Sequence, residues 1–152
     1  MSNPGVGKMP LAYPGYTEKE IKLYPLLSDP PYCLAGAGAY VFGSWAELVP
    51  ANIITSDFLA LGLMVRLNDM GTLRHWVLQL GKGLSGAETS IAAVSGFFWY
   101  DSVAGRHWLG RMIPLPIPIK IAANSRVAMR AADSNGTELL YEVRLQYVEF
   151  PI

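Results

Sequence analysis

The stretch GRMIPLPIPIKIAANSRVAMRAA, Gly110 to Ala132, decides the fold. Pro114, Pro116 and Pro118 fall on alternate positions of an apolar run. Alternate residues of an extended chain share a face, so the prolines mark one side and Ile117, Ile119 and Ile121 the other. Proline has no N–H to give to a β-ladder, and it breaks a helix interior. The run is therefore an edge strand or a bridge between sheets, with its isoleucines expected in the core. A proline-lined edge also blocks pairing with stray copies, which suits a protein held at high local concentration in an assembly. The turn AANS then leads into RVAMRAA, where Val127, Met129 and Ala131 alternate with Ala128 and Arg130.

The pattern on either side is also β. LALGLMVRLN places Leu59, Leu61, Leu63, Val65 and Leu67 on one face, and ELLYEVRLQYVE does the same for Leu139, Tyr141, Val143, Leu145 and Tyr147. RHWVLQLG and TSIAAVSGFFWY are apolar on both faces, as a central strand or a subunit-facing strand is. The breaks carry turn chemistry: NDMG from Asn68, GKGLSG from Gly81, DSVAG from Asp101 and DSNG from Asp133. About eight strands with such turns and no long helical pattern predict an antiparallel sandwich, barrel or jelly roll.

The chain divides near residue 35. Six of the eleven prolines, Pro4, Pro10, Pro14, Pro25, Pro30 and Pro31, lie before it. Residues 1–35 read as an extended N-terminal arm that does not join a sheet, and residues 36–152 as the β body. One short helix is expected in the arm. Thr17 and Glu20 form a capping box, Tyr16 and Ile21 sit at its staple positions, and Pro25 ends it. A helix that short is unstable alone, so the arm either docks or is disordered, and docking is the expectation. Its contacts with partner subunits are expected through Tyr13, Tyr16, Ile21, Tyr24, Leu26 and Leu27.

Composition points the same way. Lys and Arg number 12 against 12 Asp and Glu, so no charge imbalance favours nucleic acid or an anionic membrane. Charged residues are 16% of the chain, against about 25% in ordinary soluble domains. The apolar fraction is 51%. The longest apolar runs, such as FLALGLMV, fall far short of the ~20 residues of a spanning helix. Other subunits are the remaining way to hide the surplus. The opening MSNPGVGKMP has no apolar core, so no signal peptide is expected. Cys33 is the single cysteine, which fits synthesis in a reducing cytoplasm.

Residues that could carry chemistry are sparse. His75 and His107 lack a second histidine or cysteine at ligand spacing, so no metal and no cofactor are expected. Ser44 and Ser95 lie near glycine without forming a nucleophile elbow. GAGAY lacks the lysine of a phosphate-binding loop. Asp133 and Asn135 belong to DSNG, which reads as a hairpin turn better than as a calcium loop. Asn135 also opens an NGT sequon, with no secretory signal beside it. Trp99, Tyr100 and Trp108 flank the DSVAG turn. Buried, they are core; exposed, they form a platform for a sugar ring. The second case defines the alternative function, a carbohydrate- or receptor-binding β-sandwich module.

PLPIPIKIAANSRVAMRAA and ELLYEVRLQYVE resemble jelly-roll or sandwich proteins of tailed-bacteriophage virions. The resemblance runs through Pro116, Ile117, Pro118, Ile119, Ile121, Arg126, Val127, Ala128 and Arg130, and departs at AAN, where a Pro-Ala-Gly type of turn is expected. It implies an all-β, jelly-roll-like antiparallel β-sandwich with an extended N-terminal arm. It also implies a non-enzymatic structural role, a head-decoration or cement-type protein. The expected partners are the major capsid protein or other virion subunits and further copies of the chain, as a trimer. The expected location is the virion, after synthesis in the host cytoplasm.

Overall fold

The computed structural model describes residues 20–67, 74–98, 111–136 and 140–150. Among the described residues nine strands run in chain order: β1 Lys22–Tyr24, β2 Tyr32–Leu34, β3 Ala46–Val49, β4 Phe58–Leu67, β5 Arg74–Lys82, β6 Thr89–Phe98, β7 Arg111–Ile121, β8 Val127–Asp133 and β9 Leu140–Glu149. They form two antiparallel sheets. The first has the order β1-β9-β4-β7, with β2 also pairing with β9; the second has the order β3-β8-β5-β6. One apolar core lies between them. Phe58, Leu63, Val65, Tyr141, Val143 and Leu145 come from the first sheet, and Trp76, Leu78, Leu80, Val127 and Met129 from the second. The rings of Trp76 and Tyr141 meet across the gap at 6.3 Å. The chain is thus a β-sandwich.

The proline strand lies where its chemistry demands. β7 is the last strand of the first sheet. Its interior departs from plain alternation. Ala60 pairs with Ile119 and Gly62 with Pro114, so four residues, Leu115 to Pro118, stand opposite Leu61 alone. This excursion overturns the expectation that Ile117 joins Ile119 and Ile121 inside. Ile117 is 74% exposed, and Leu115 enters the core in its place. Ile121 is buried and Ile119 packs against the core.

β4 is corrected by the same irregularity. Leu59, Leu61, Leu63 and Val65 do not share a face. A bulge between Ala60 and Gly62 adds one residue, and one extra residue moves every later side chain to the other side. Phe58, Ala60, Leu63 and Val65 are core, whereas Leu61 joins Val148, Leu59 and Ile21 in a separate cluster. Only glycine fits after the bulge, since a Cβ on Gly62 would lie 2.8 Å from the carbonyl oxygen of Ile113.

The arm is corrected as well. Lys22–Tyr24 is strand, paired with Leu145–Tyr147 of β9, so it is not the end of a helix. Tyr32–Leu34 pairs with Leu140–Glu142 of the same strand. The prolines do not prevent this, because Pro25, Pro30 and Pro31 fall in the connection between the two short strands. The capping residue Thr17 and the staple residue Tyr16 lie outside the described residues. DSNG is corrected too. It begins on Asp133, the last residue of β8, and β9 lies in the other sheet, so the turn closes no hairpin between them.

Candidate functional site

Where the chain passes from β2 to β3 it changes sheets, and the densest group of unusual contacts gathers there. Ala35 forms a parallel bridge with Ala131 of β8. The Tyr40 amide donates to the Asp133 carbonyl at 2.6 Å and the Gly43 amide to that of Ala131 at 2.9 Å. Residues 35–43 therefore continue the cover that β3 gives to the same side of β8. A cleft of about 330 Å³ lies between Tyr32–Gly36 and Gly43–Ala46. No charged residue and no histidine lines it. Its groups of possible nucleophilic character are Tyr32, Cys33 and Ser44. Burial pushes the Cys33 thiol up to about 12, so at neutral pH it is a thiol packed in the core, not a thiolate.

Beside the cleft, Arg130 of β8 extends between two rings. Its guanidinium carbon lies 4.6 Å from the ring centre of Phe42 and 4.5 Å from that of Trp45. Its Nε donates to Oε1 of Gln79 at 2.7 Å. A cation over an aromatic face within about 6 Å is attracted by the ring quadrupole. Trp45 reaches this position because residue 81 is glycine; a Cβ there would lie 2.7 Å from the indole. One face of each ring is thus occupied by the protein itself. Next to them, Nδ1 of His75 and the hydroxyl of Tyr40 are 3.1 Å apart, with ring centres at 5.6 Å.

The charged groups are structural in their contacts. Arg126 bonds Glu47 and Glu88, each at 2.9 Å, and the Gly83 carbonyl at 3.1 Å. This ties β3 to the β5–β6 hairpin. Asp133 is fully buried. Its carboxylate accepts from the amides of Asn135 and Gly136 and from the hydroxyl of Tyr141. That arrangement shapes a turn and leaves the acid no opening for calcium. Asp57 accepts from the Ala123 amide, which with Lys120 holds its carboxyl below the usual range.

The arm residues separate into two groups. Ile21 packs on the cluster of Leu61 and Val148, and Tyr24 packs on the main core. Both serve the chain's own body. Leu26 and Leu27 are 66% and 95% exposed. The turn that carries them is held firmly, because Arg144 of β9 donates to the carbonyls of Pro25, Leu26 and Ser28. Lys22 bonds Glu149 at 2.6 Å on the same strand pair. The sequence offered no signal for Arg144 as a clamp, since its acceptors are backbone carbonyls over a hundred residues away. Tyr13, Tyr16, Trp99, Tyr100, Trp108 and His107 lie outside the described residues.

Among the described residues no group of three or more His, Cys, Asp or Glu side chains is placed to hold a metal ion. No described helix is long and apolar enough to cross a membrane. No protein-family model matches the chain, and no curated protein matches it.

Proposed function

We propose that the chain is a non-enzymatic structural protein of a tailed-bacteriophage virion, a decoration or cement-type subunit that stabilises a capsid through subunit contacts. One observation carries the reading. A turn pinned at three carbonyls by Arg144 offers Leu26 and Leu27 to solvent. Holding two leucines in water on an ordered turn is unfavourable unless a partner covers them. The strand order adds support. With β1 and β2 taken as one interrupted strand, the orders β1/β2-β9-β4-β7 and β3-β8-β5-β6 are those expected of two interleaved Greek keys, which supports reading the sandwich as a jelly roll. That fold serves capsid proteins, lectins and cupins alike, so it favours the architecture and leaves the role to the contacts. The partner on this reading is the major capsid protein or another virion subunit.

The test is a paired substitution, Leu26→Asp with Leu27→Asp. Both sites are exposed, so the variant is expected to fold with an unchanged melting temperature and to fail to join particles. Mass spectrometry of purified particles reads the outcome. Wild-type protein missing from particles, or a variant that joins them as well as wild type, overturns the proposal.

A further inference from the structure

A β-sandwich of this kind has four open edges, and three of them are blunted here. The edge formed by β1 and β2 is two three-residue pieces separated by Pro25, Pro30 and Pro31. The β3 edge has four residues, a charged Glu47 and a register shift. The β7 edge is long but carries three prolines and the Leu115–Pro118 excursion. Short length, charge, proline and bulges are the devices that keep a strand edge from pairing with another chain.

The fourth edge, β6, is different. Its ten residues, TSIAAVSGFF, include no charge and no proline. Its one irregularity lies near the start, where Leu80 pairs with Ala92 and Gly81 with Ser90. Among the described residues β6 pairs on one side only, with β5. β7 of the other sheet lies near it without joining its ladder.

We propose that β6 is an interaction edge and that its occupant is β6 of a second copy of this chain, paired antiparallel about a two-fold axis. Three observations favour a second copy over another protein. An uncharged strand meets no like charge when it faces itself, so self-pairing carries no repulsion. The run Ala92-Ala93-Val94-Ser95-Gly96 has small side chains on both sides of Val94, so the same strand reversed fits beside it without steric conflict. Antiparallel self-pairing also gives a closed, isologous contact that stops at two, whereas an unblunted edge without such closure leads to open-ended association. The resulting unit is a dimer with a continuous eight-stranded sheet, and not the trimer expected from the sequence. The proposal does not depend on the virion reading.

The experiment uses the full chain in sedimentation velocity across a wide concentration range. Wild type is expected to form a concentration-dependent dimer. Ala93 and Ser95 are exposed, so A93K/S95K and A93E/S95E are expected to keep the wild-type circular dichroism spectrum and to sediment as monomers. An equimolar mixture of the two variants is expected to dimerise again, because unlike charges then face each other. Hydrogen exchange of wild type reads the same edge without substitution: amides of residues 91–96 are expected to gain protection as concentration rises. A wild type that stays monomeric, a lysine variant that still self-associates, or a mixture that does not re-associate overturns the proposal.

Discussion

β6 and β7 border the same side of the sandwich, one in each sheet, and they treat the edge problem in opposite ways. β7 removes donors with Pro114, Pro116 and Pro118 and lifts four residues off the ladder of β4. β6 keeps a long, uncharged, proline-free ladder. The contrast shows that edge protection is assigned strand by strand; on the proposal above, the unblunted edge beside a blocked one is where a second chain pairs. It also separates two functions of an apolar residue on an edge. Leu115 turns inward and supports the core, while Ile117, two residues on, faces water.

The largest expected effect comes from making a second bare edge. Deleting residues 1–34 removes β1 and β2 from β9, together with Cys33 and Tyr24 of the core. The loss is expected to be comparable to the whole net stability of a domain, about 5–15 kcal/mol. Urea denaturation followed by circular dichroism is expected to show little folded protein, with aggregation of what remains. A truncated chain with an unchanged midpoint would mean that β9 does not need its cover.

Leu115→Ala comes next. The side chain is 3% exposed, and removing a buried leucine side chain costs about 2–5 kcal/mol. Ile117→Ala on the same excursion is expected to change stability by less than about 0.5 kcal/mol. Equal costs for the two substitutions would contradict the inward and outward assignment. The proline edge itself gives a smaller thermodynamic effect. Replacing Pro116 and Pro118 by threonine is expected to lower stability by about 0.4–1 kcal/mol per site through the unfolded chain. The informative readout is association: light scattering is expected to detect oligomers larger than those of wild type. Unaltered scattering would show that the prolines do not guard this edge. The smallest effect concerns Cys33, whose buried thiol is expected not to react with a disulfide reagent at pH 8 until the protein unfolds. Fast labelling of native protein would place Cys33 outside the core.

Much of the β body is legible from residues alone. The strands at 58–67 and 140–149 follow from two-residue alternation, and three missing donors narrow β7 to an edge or a bridge, of which the sheet order gives the edge. These are consequences of side-chain geometry and backbone chemistry within a few residues. The faces of β4 are not legible, because Ala60, Leu61 and Gly62 suit either phase until β7 and β9 set the register. The short strands of the arm are hidden for a related reason. Three residues show no period, and their stability comes from β9, which follows more than a hundred residues later. The stack of Arg130 on Phe42 and Trp45, with Gly81 beneath, joins four distant segments and leaves no local trace.

The sequence by itself determined that the chain is β, that its proline strand is an edge strand or a bridge between sheets, and that β6 is apolar on both faces and so either central or turned toward a partner. Sheet order then separated two strands of equal pattern: among the described residues β5 lies between β8 and β6, and β6 lies at the end of the sheet. The physical reason is the range of the forces involved. Alternation and donor loss are fixed by neighbouring atoms along the chain, whereas the neighbour of a strand is fixed by hydrogen bonds and core packing between segments that meet only in the folded molecule.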